Sequence, residues 1–508
     1  MRRWAGLLLM AMMGVGLAVP KASYGQAEVD KEIRELREKL SQLEQQQIDM
    51  RKEATAAAAA MPSFSYRPGN GVSVEAADKA WGLRFTLESH FRYDFESGRD
   101  QVGRTQGELY GRRFRPSIFY CLNNCLWEFE ASLDLDGWGN GNGKNNAGDD
   151  VNSMLQRGAV RFHGENISPW LPTVQFGMEV QNAYGDSLAR QGSGAVGAQA
   201  EYMLSSRNSG FNTGRAGSGT VLNWDNKSLS AIGIPGRLRR FQFGMSSIAE
   251  GDDGTQSLTD RKDFNTYISV QPMSQLKNKW LRGLTFETGA WFCNVDARAA
   301  QNGCNRYRLQ DHGDGGRQVL FDTGSNTIGK GLHIGTGYGV VWEVGPYRLR
   351  LARDFMTSED GGPAIGRSTT PGKKKADGWL IGHDLFLWSP KGFLTGSPTQ
   401  AGSVLVGTHF ERANMSCENA DRCSSINGGE YHRVRVLLRE WDLWYFIAPR
   451  MSIGTSVLWY DSSNLRSTRN QAAHNLGVCS TNDINSGGCR SGIGGDWIDV
   501  FLNWRYTF

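Results

Sequence analysis

Arginines recur in this chain at spacings that put several guanidinium groups on one face of a strand. Arg433, Arg435 and Arg439 share one parity, as do Arg348 with Arg350, Arg113 with Arg115, and Arg84 with Arg92. Successive strand side chains point to opposite faces, so each set forms a row. A guanidinium stays charged at any working pH and grips an anion through paired N–H donors. The chemistry on offer is anion binding. Acids such as Glu88, Glu128, Glu130 and Glu343 compete, because each can pair with an arginine and merely brace the wall. Glu440 and Asp442 fall on the parity opposite Arg433, Arg435 and Arg439, which makes that triple the first candidate for an anion pathway. Arg348, Arg350, Arg113 and Arg115 follow.

Catalytic chemistry has no comparable footing. The eight histidines are scattered singly, with no His-Glu-x-x-His, no Gly-x-Ser-x-Gly and no phosphate-binding Gly-Lys spacing. No enzyme activity, cofactor or metal is expected. The stretch 134–150 has the acids of a calcium loop, but Trp138 stands where such a loop needs Asp or Asn, so it reads as an outer loop. The eight cysteines fall into local pairs: Cys121 with Cys125, Cys293 with Cys304, Cys417 with Cys423, and Cys479 with Cys489. Each brackets a turn or loop rich in Asn, Asp or Gly, and none has zinc spacing. They read as loop-stapling disulfides, which require an oxidising compartment.

The N-terminus supplies that compartment. Residues 1–25 carry Arg2 and Arg3, then an apolar run to Val19, then small residues, the layout of a secretory signal peptide. Net charge falls from +4 to +1 when Arg2, Arg3 and Lys21 leave with it. Only the placement of charge can then identify a partner, and no nucleic-acid partner is expected. Within 26–60, Ile33, Leu36, Leu40, Leu43, Gln47 and Met50 alternate at spacings of three and four, which predicts a short coiled-coil helix in the periplasm. A helix lying on the protein's own surface would carry the same pattern. Residues 61–81, with Pro62, Pro68 and several glycines, read as a linker.

From residue 82 to 508 the pattern changes to a period of two. Leu83, Phe85, Leu87, Phe91, Tyr93 and Phe95 alternate with Arg84, Thr86, Glu88, His90, Arg92 and Asp94. About sixteen such segments follow one another, most near the 9 to 11 residues a tilted strand needs to cross a bilayer. Connectors are alternately short (122–124, 344–346, 389–392, 448–450) and long (137–156, 182–212, 294–330, 462–495), which a soluble sandwich has no reason to do. The chain stops on Trp504, Tyr506 and Phe508, an aromatic edge that must pair with the first strand. The pattern predicts an all-β, 16-stranded antiparallel transmembrane β-barrel, apolar parity to lipid and charged parity to a wet lumen.

Three stretches carry a family resemblance. "RRFRPSIFYCLNNCLWEFEASLDLD" (112–136) resembles the second and third strands of the phosphate-selective porin O and P family. "WEVGPYRLRLARDFM" (342–356) is similar to that family's Gly-Pro turn between strands, and "FLNWRYTF" is similar to the terminal signal read by the outer-membrane assembly machinery, with Phe508 as its last residue. The resemblance implies a trimeric porin of the bacterial outer membrane, in contact with its lipid, with one loop folded inward to narrow the pore. It also implies passage of small anionic solutes such as phosphate. The family's segment before the inward loop departs here, reading "GMEVQNAYGD". The competing reading is a structural or adhesive surface barrel with a plugged lumen and partner-binding loops.

Overall fold

The computed structural model describes residues 26–68, 70–97, 106–133, 135, 155–182, 214–246, 263–295, 308–310, 319–322, 331–358, 374–388, 401–417, 433–448, 451–461 and 496–507. The chain divides into two units, Met1–Pro62 and Ser63–Phe508. In the first, helix α1 (Gln26–Ala60) takes in the whole heptad stretch, and its seam residues Leu36, Leu40 and Leu43 are exposed.

The second unit is built of strands β1 (Ser63–Arg67), β2 (Gly71–Glu75), β3 (Trp81–Ser97), β4 (Gln106–Leu122), β5 (Trp127–Leu133), β6 (Leu155–His163), β7 (Thr173–Asn182), β8 (Gly214–Ser228), β9 (Arg237–Ser246), β10 (Asp263–Gln271), β11 (Leu284–Val295), β12 (Arg308–Gln310), β13 (Val319–Asp322), β14 (Gly331–Val344), β15 (Tyr347–Ser358), β16 (Lys374–Trp388), β17 (Ser403–Cys417), β18 (Arg433–Ala448), β19 (Met451–Asp461) and β20 (Asp496–Thr507). The sixteen strands β3–β11 and β14–β20 pair antiparallel in chain order, and β20 returns to β3 from Ile498 opposite Ser97 to Thr507 opposite Glu88. Closure satisfies every strand edge, which a sheet this long cannot otherwise do. Strands β12 and β13 form a separate pair within the connection from β11 to β14.

Where β20 ends, β2 takes over the same edge of β3, Val72 facing Phe85, and β1 pairs with β2. The stretch 61–81 is therefore a hairpin rather than the linker its Pro and Gly content suggests. The connectors segregate as expected with one departure: β16 and β17 are joined by 389–402 rather than by a four-residue turn. The four-residue turn between β4 and β5 has its own device. Asn123, Asn124 and Cys125 all have positive φ, a conformation Asn tolerates, and the Cys121–Cys125 disulfide closes across them with Cα atoms 4.5 Å apart. The other three cysteine pairs each have members outside the described residues, as do the signal segment 1–25, the long loops and Phe508.

The distribution of side chains is the reverse of a soluble sheet. Phe91, Tyr93, Leu443, Tyr445, Leu502 and Trp504 are exposed on the outer face, while Arg92, Asp384, Glu411, Glu440 and Asn503 are buried on the inner one. An apolar exterior over a polar interior is the arrangement of a barrel with lipid as its outer solvent. The faces of β3 lie as its alternation predicts.

Candidate functional site on the inner wall

The inner wall has two unlike sectors. The first runs over β15–β19 and is assembled by register. One transverse row reads Arg348, Asp384, Gly407, Asp442, Ser456 across five adjacent strands, and the next reads Arg350, Gly382, His409, Glu440, Leu458. The glycines are part of the construction. A Cβ on Gly407 would lie 3.0 Å from Asp384 Oδ1 and 3.1 Å from Asp442 Oδ2, so the two carboxylates occupy the space that a side chain would fill. Arg350 lies across Gly382 in the same way.

Asp384 is the hub. Arg348 donates to its Oδ2 at 2.9 Å from Nε and 2.6 Å from Nη2, Arg350 Nη2 donates at 3.1 Å, and His409 Nε2 lies 3.0 Å from Oδ1. All four side chains are at most 9% exposed, and Asp384 and His409 are fully buried. Beside this paired group sit acids without such partners. Ser456 Oγ donates to Asp442 Oδ1 at 2.5 Å, but among the described residues Asp442 Oδ2 and both Glu440 oxygens have no hydrogen-bond partner. Among the described residues His409, Glu440 and Asp442 form a group that could hold a metal ion, their donor atoms lying within 4.8 Å of one another. Arg350 Nη2, 3.1 Å from His409 Nε2, already supplies positive charge there. Toward the short-turn end the interior turns apolar, where Phe386, Leu405, Trp444 and Phe446 cluster. Gly454, opposite Trp444, makes this possible, since a Cβ there would meet the indole at 2.4 Å.

The second sector, β5–β9, is partly exposed and rich in arginine. Arg161 bridges Glu128 and Glu130 and donates to Gln175 Oε1 at 3.2 Å. Arg240 Nε donates to Asp225 Oδ1 at 2.9 Å in a pair more than a third exposed. Arg237 and Arg239 are different. Arg237 Nε donates to Gln271 Oε1 at 2.8 Å and Arg239 Nη1 to Thr285 Oγ1 at 3.5 Å, so both bond to neutral groups. The register slips between Ser269 and Val270, leaving Arg239 without a partner in β10, and the extra residue turns Arg237 and Arg239 inward although they share the sequence parity of the outward Phe243 and Met245. Arg84, with its guanidinium 4.1 Å from the Phe119 ring, and Arg115 stand nearby on β3 and β4, also partly exposed.

The sequence-derived candidates separate accordingly. Arg348 and Arg350 line the interior, but as partners of Asp384. Arg92 is buried at the β20–β3 seam, donating from Nε to Asn503 Oδ1 at 2.9 Å. Arg113 stands opposite His90 in the β3–β4 register, and its side chain lies outside the described residues. The triple on β18 is a correction. Arg433, Arg435 and Arg439 share the parity of Trp441, Leu443, Tyr445 and Ile447, which are exposed on the outer face, whereas Leu438, Glu440, Asp442 and Trp444 are the buried inner residues. Arg439 stacks 4.4 Å from the ring of Trp459 on that outer face. The anion ladder expected from this row does not line the lumen. Missed entirely were Asp384, His409 and the Arg237–Arg239 pair.

No protein-family model matches the chain, and no curated protein matches its sequence. Solved structures of similar shape include OmpT, an outer membrane protein of Vibrio cholerae in its trimer form (TM-score 0.44, 9% identity, covering 84% of this chain and 100% of that one). An anion-selective porin from Comamonas acidovorans aligns at TM-score 0.45 and 10% identity over 84% of this chain and 100% of its own. The outer membrane channel DcaP of Acinetobacter baumannii aligns at 0.44 and 8% over 84% and 98%. Likeness at this level fixes neither family nor solute.

Proposed function

We propose that this chain is an outer-membrane diffusion channel, a porin rather than an enzyme, and that its water path runs along the arginine-bearing wall of β5–β9 and favours small anions, phosphate among them. The observation that carries the reading is a wall bearing Arg237 and Arg239, whose hydrogen bonds among the described residues go to neutral groups, with Glu343 acting on Arg237 through space rather than through a hydrogen bond, within a barrel whose outer face is apolar. Selectivity follows the local field at the wetted wall, because charges more than about 8 Å away are screened at physiological salt. A homotrimer, with the exposed heptad seam of α1 as a periplasmic clasp, completes the proposal.

The test is conduction by the purified protein in a planar bilayer under a potassium chloride gradient. Wild type should conduct with a reversal potential on the anion side, and Arg237→Glu with Arg239→Glu should move it toward cations while conductance keeps its order of magnitude. An unmoved reversal potential would remove these arginines from the path. A second reading draws on the fully buried sector and its apolar cluster of Phe386, Leu405, Trp444 and Phe446: a plugged barrel whose loops bind a partner. Such a barrel conducts nothing, so the same recording decides between them.

A further inference from the structure

The outward arginines of β15–β18 lie close together. On the outer face, Arg353 stands opposite Trp379 and Trp379 opposite Arg412, while Asn414 stands opposite Arg435 on the neighbouring strand. Arg412 Nε and Arg435 Nε both donate to Asn414 Oδ1, each at 3.2 Å, and Asn414 Nδ2 in turn donates to Asp377 Oδ2 at 3.1 Å. One amide thus draws two guanidinium groups together. Among the described residues neither of these arginines makes an ion pair. Two converging cations repel each other, and the arrangement leaves their remaining N–H donors for an anion with several acceptor oxygens.

Depth identifies the class of anion. Arg435 is two residues from the start of β18, about 7 Å from the strand's end at the long-connection rim of the barrel. Farther along the same outward parity come Trp441, Leu443 and Tyr445, all exposed, which mark the apolar band. Arg353 adds a third guanidinium, lying 4.5 Å from the Phe355 ring. A cluster of arginines among aromatic rings, directly above an apolar band, sits at the level of lipid headgroups.

We infer that Arg412 and Arg435, joined through Asn414 and flanked by Arg353, form a binding site on the outer wall for the phosphate of an anionic lipid headgroup. The inference rests on the barrel being a membrane protein, but not on its being a channel.

Native mass spectrometry of the detergent-purified protein should show a phosphate-bearing lipid retained, with added phosphatidylglycerol binding at least tenfold tighter than phosphatidylcholine. Arg412→Gln with Arg435→Gln should abolish that preference, Arg412→Lys with Arg435→Lys should restore part of it, and the single Arg353→Gln, on the most exposed member, should weaken it a few-fold. Because these side chains point away from the lumen, the double variant should leave the bilayer reversal potential unmoved, which keeps this inference separable from the channel reading. Equal binding of the two lipids by wild type, or an undiminished preference in the double variant, would overturn it. So would competition by millimolar inorganic phosphate as effective as that of the lipid, which would indicate a site for the free ion. A double variant that retains lipid but falls apart into single chains would instead identify the patch as an interface between copies.

Discussion

Two stretches of one wall solve the same problem, how to hold charge inside a barrel, in opposite ways. Over β15–β19 the charges are sealed: Asp384 is fully buried and takes donors from Arg348, Arg350 and His409. Over β5–β9 they stay wet, as in the Arg240–Asp225 pair. The difference is made by glycine and by register. Gly382 and Gly407 open space that the Arg350 guanidinium and the Asp384 and Asp442 carboxylates fill against the sheet, whereas the bulge at Arg239 brings Arg237 and Arg239 to the inner face, where they bond to Gln271 and Thr285 rather than to an acid. Charge that lies flat and paired is scaffold, and charge that projects into water is available to a passing ion.

The sharpest way to break this contrast is to remove one acid from each sector. Asp384→Ala leaves Arg348 and Arg350 buried without their counter-ion, and loss of one partner of a buried pair costs about 3–5 kcal/mol. Asp225→Ala removes the carboxylate from Arg240 in a pair more than a third exposed, so about 1 kcal/mol or less is expected. Urea titration of the folded barrel, read by heat-dependent gel mobility, should rank them in that order. Equal costs would mean that the sealed sector is as wet as the other.

Much of this was legible in the sequence, and the failures have identifiable causes. The alternation in β3 gave its faces correctly because the apolar residues there keep one parity over seven positions. On β18 they do not: Val434, Val436 and Leu438 lie on one parity while Leu437, Trp441 and Leu443 lie on the other. Hydrophobicity alone could not choose a face, and the choice was made by neighbouring strands, which set Glu440 beside His409 and Asp442 beside Gly407. The faces of Arg348 and Arg350 were legible because Tyr347, Leu349 and Leu351 alternate strictly with them. The Asp384 hub draws on residues 348 to 409, which only the register brings together. Arg237 and Arg239 were hidden because a bulge breaks the period on which the reading depends.

A smaller change sharpens the sealed side. Ser456 Oγ donates to Asp442 Oδ1 at 2.5 Å, and among the described residues no donor lies in hydrogen-bond geometry to the other oxygen of that carboxylate, so the hydroxyl is the best-formed bond it has there. Ser456→Ala should cost about 1–3 kcal/mol by taking from a buried acid its best-formed hydrogen bond. Urea midpoints measured beside wild type would show it, and a cost within error would mean that water reaches Asp442.

The smallest effect is expected where the wet sector meets the short turns, and it is read through pH. Glu165, in the turn after β6, accepts from Thr173 Oγ1 at 2.7 Å and pairs with His163 Nδ1 at 2.9 Å. Partial burial pushes its carboxyl up, but the bonds from His163 and Thr173 outweigh this and hold it below the usual carboxylate value. A group whose folded value is depressed contributes stability above its unfolded value, about 4.3 for Glu. That contribution is lost as pH falls through the lower folded value. Glu165→Gln should therefore lower the urea midpoint slightly at pH 7 and by a shrinking amount as the pH is taken down into acid, since partly exposed pairs contribute at most about 1 kcal/mol. A deficit that persists unchanged in acid would show that Glu165 acts through packing rather than charge, and would make this turn part of the sealed architecture rather than the wet one.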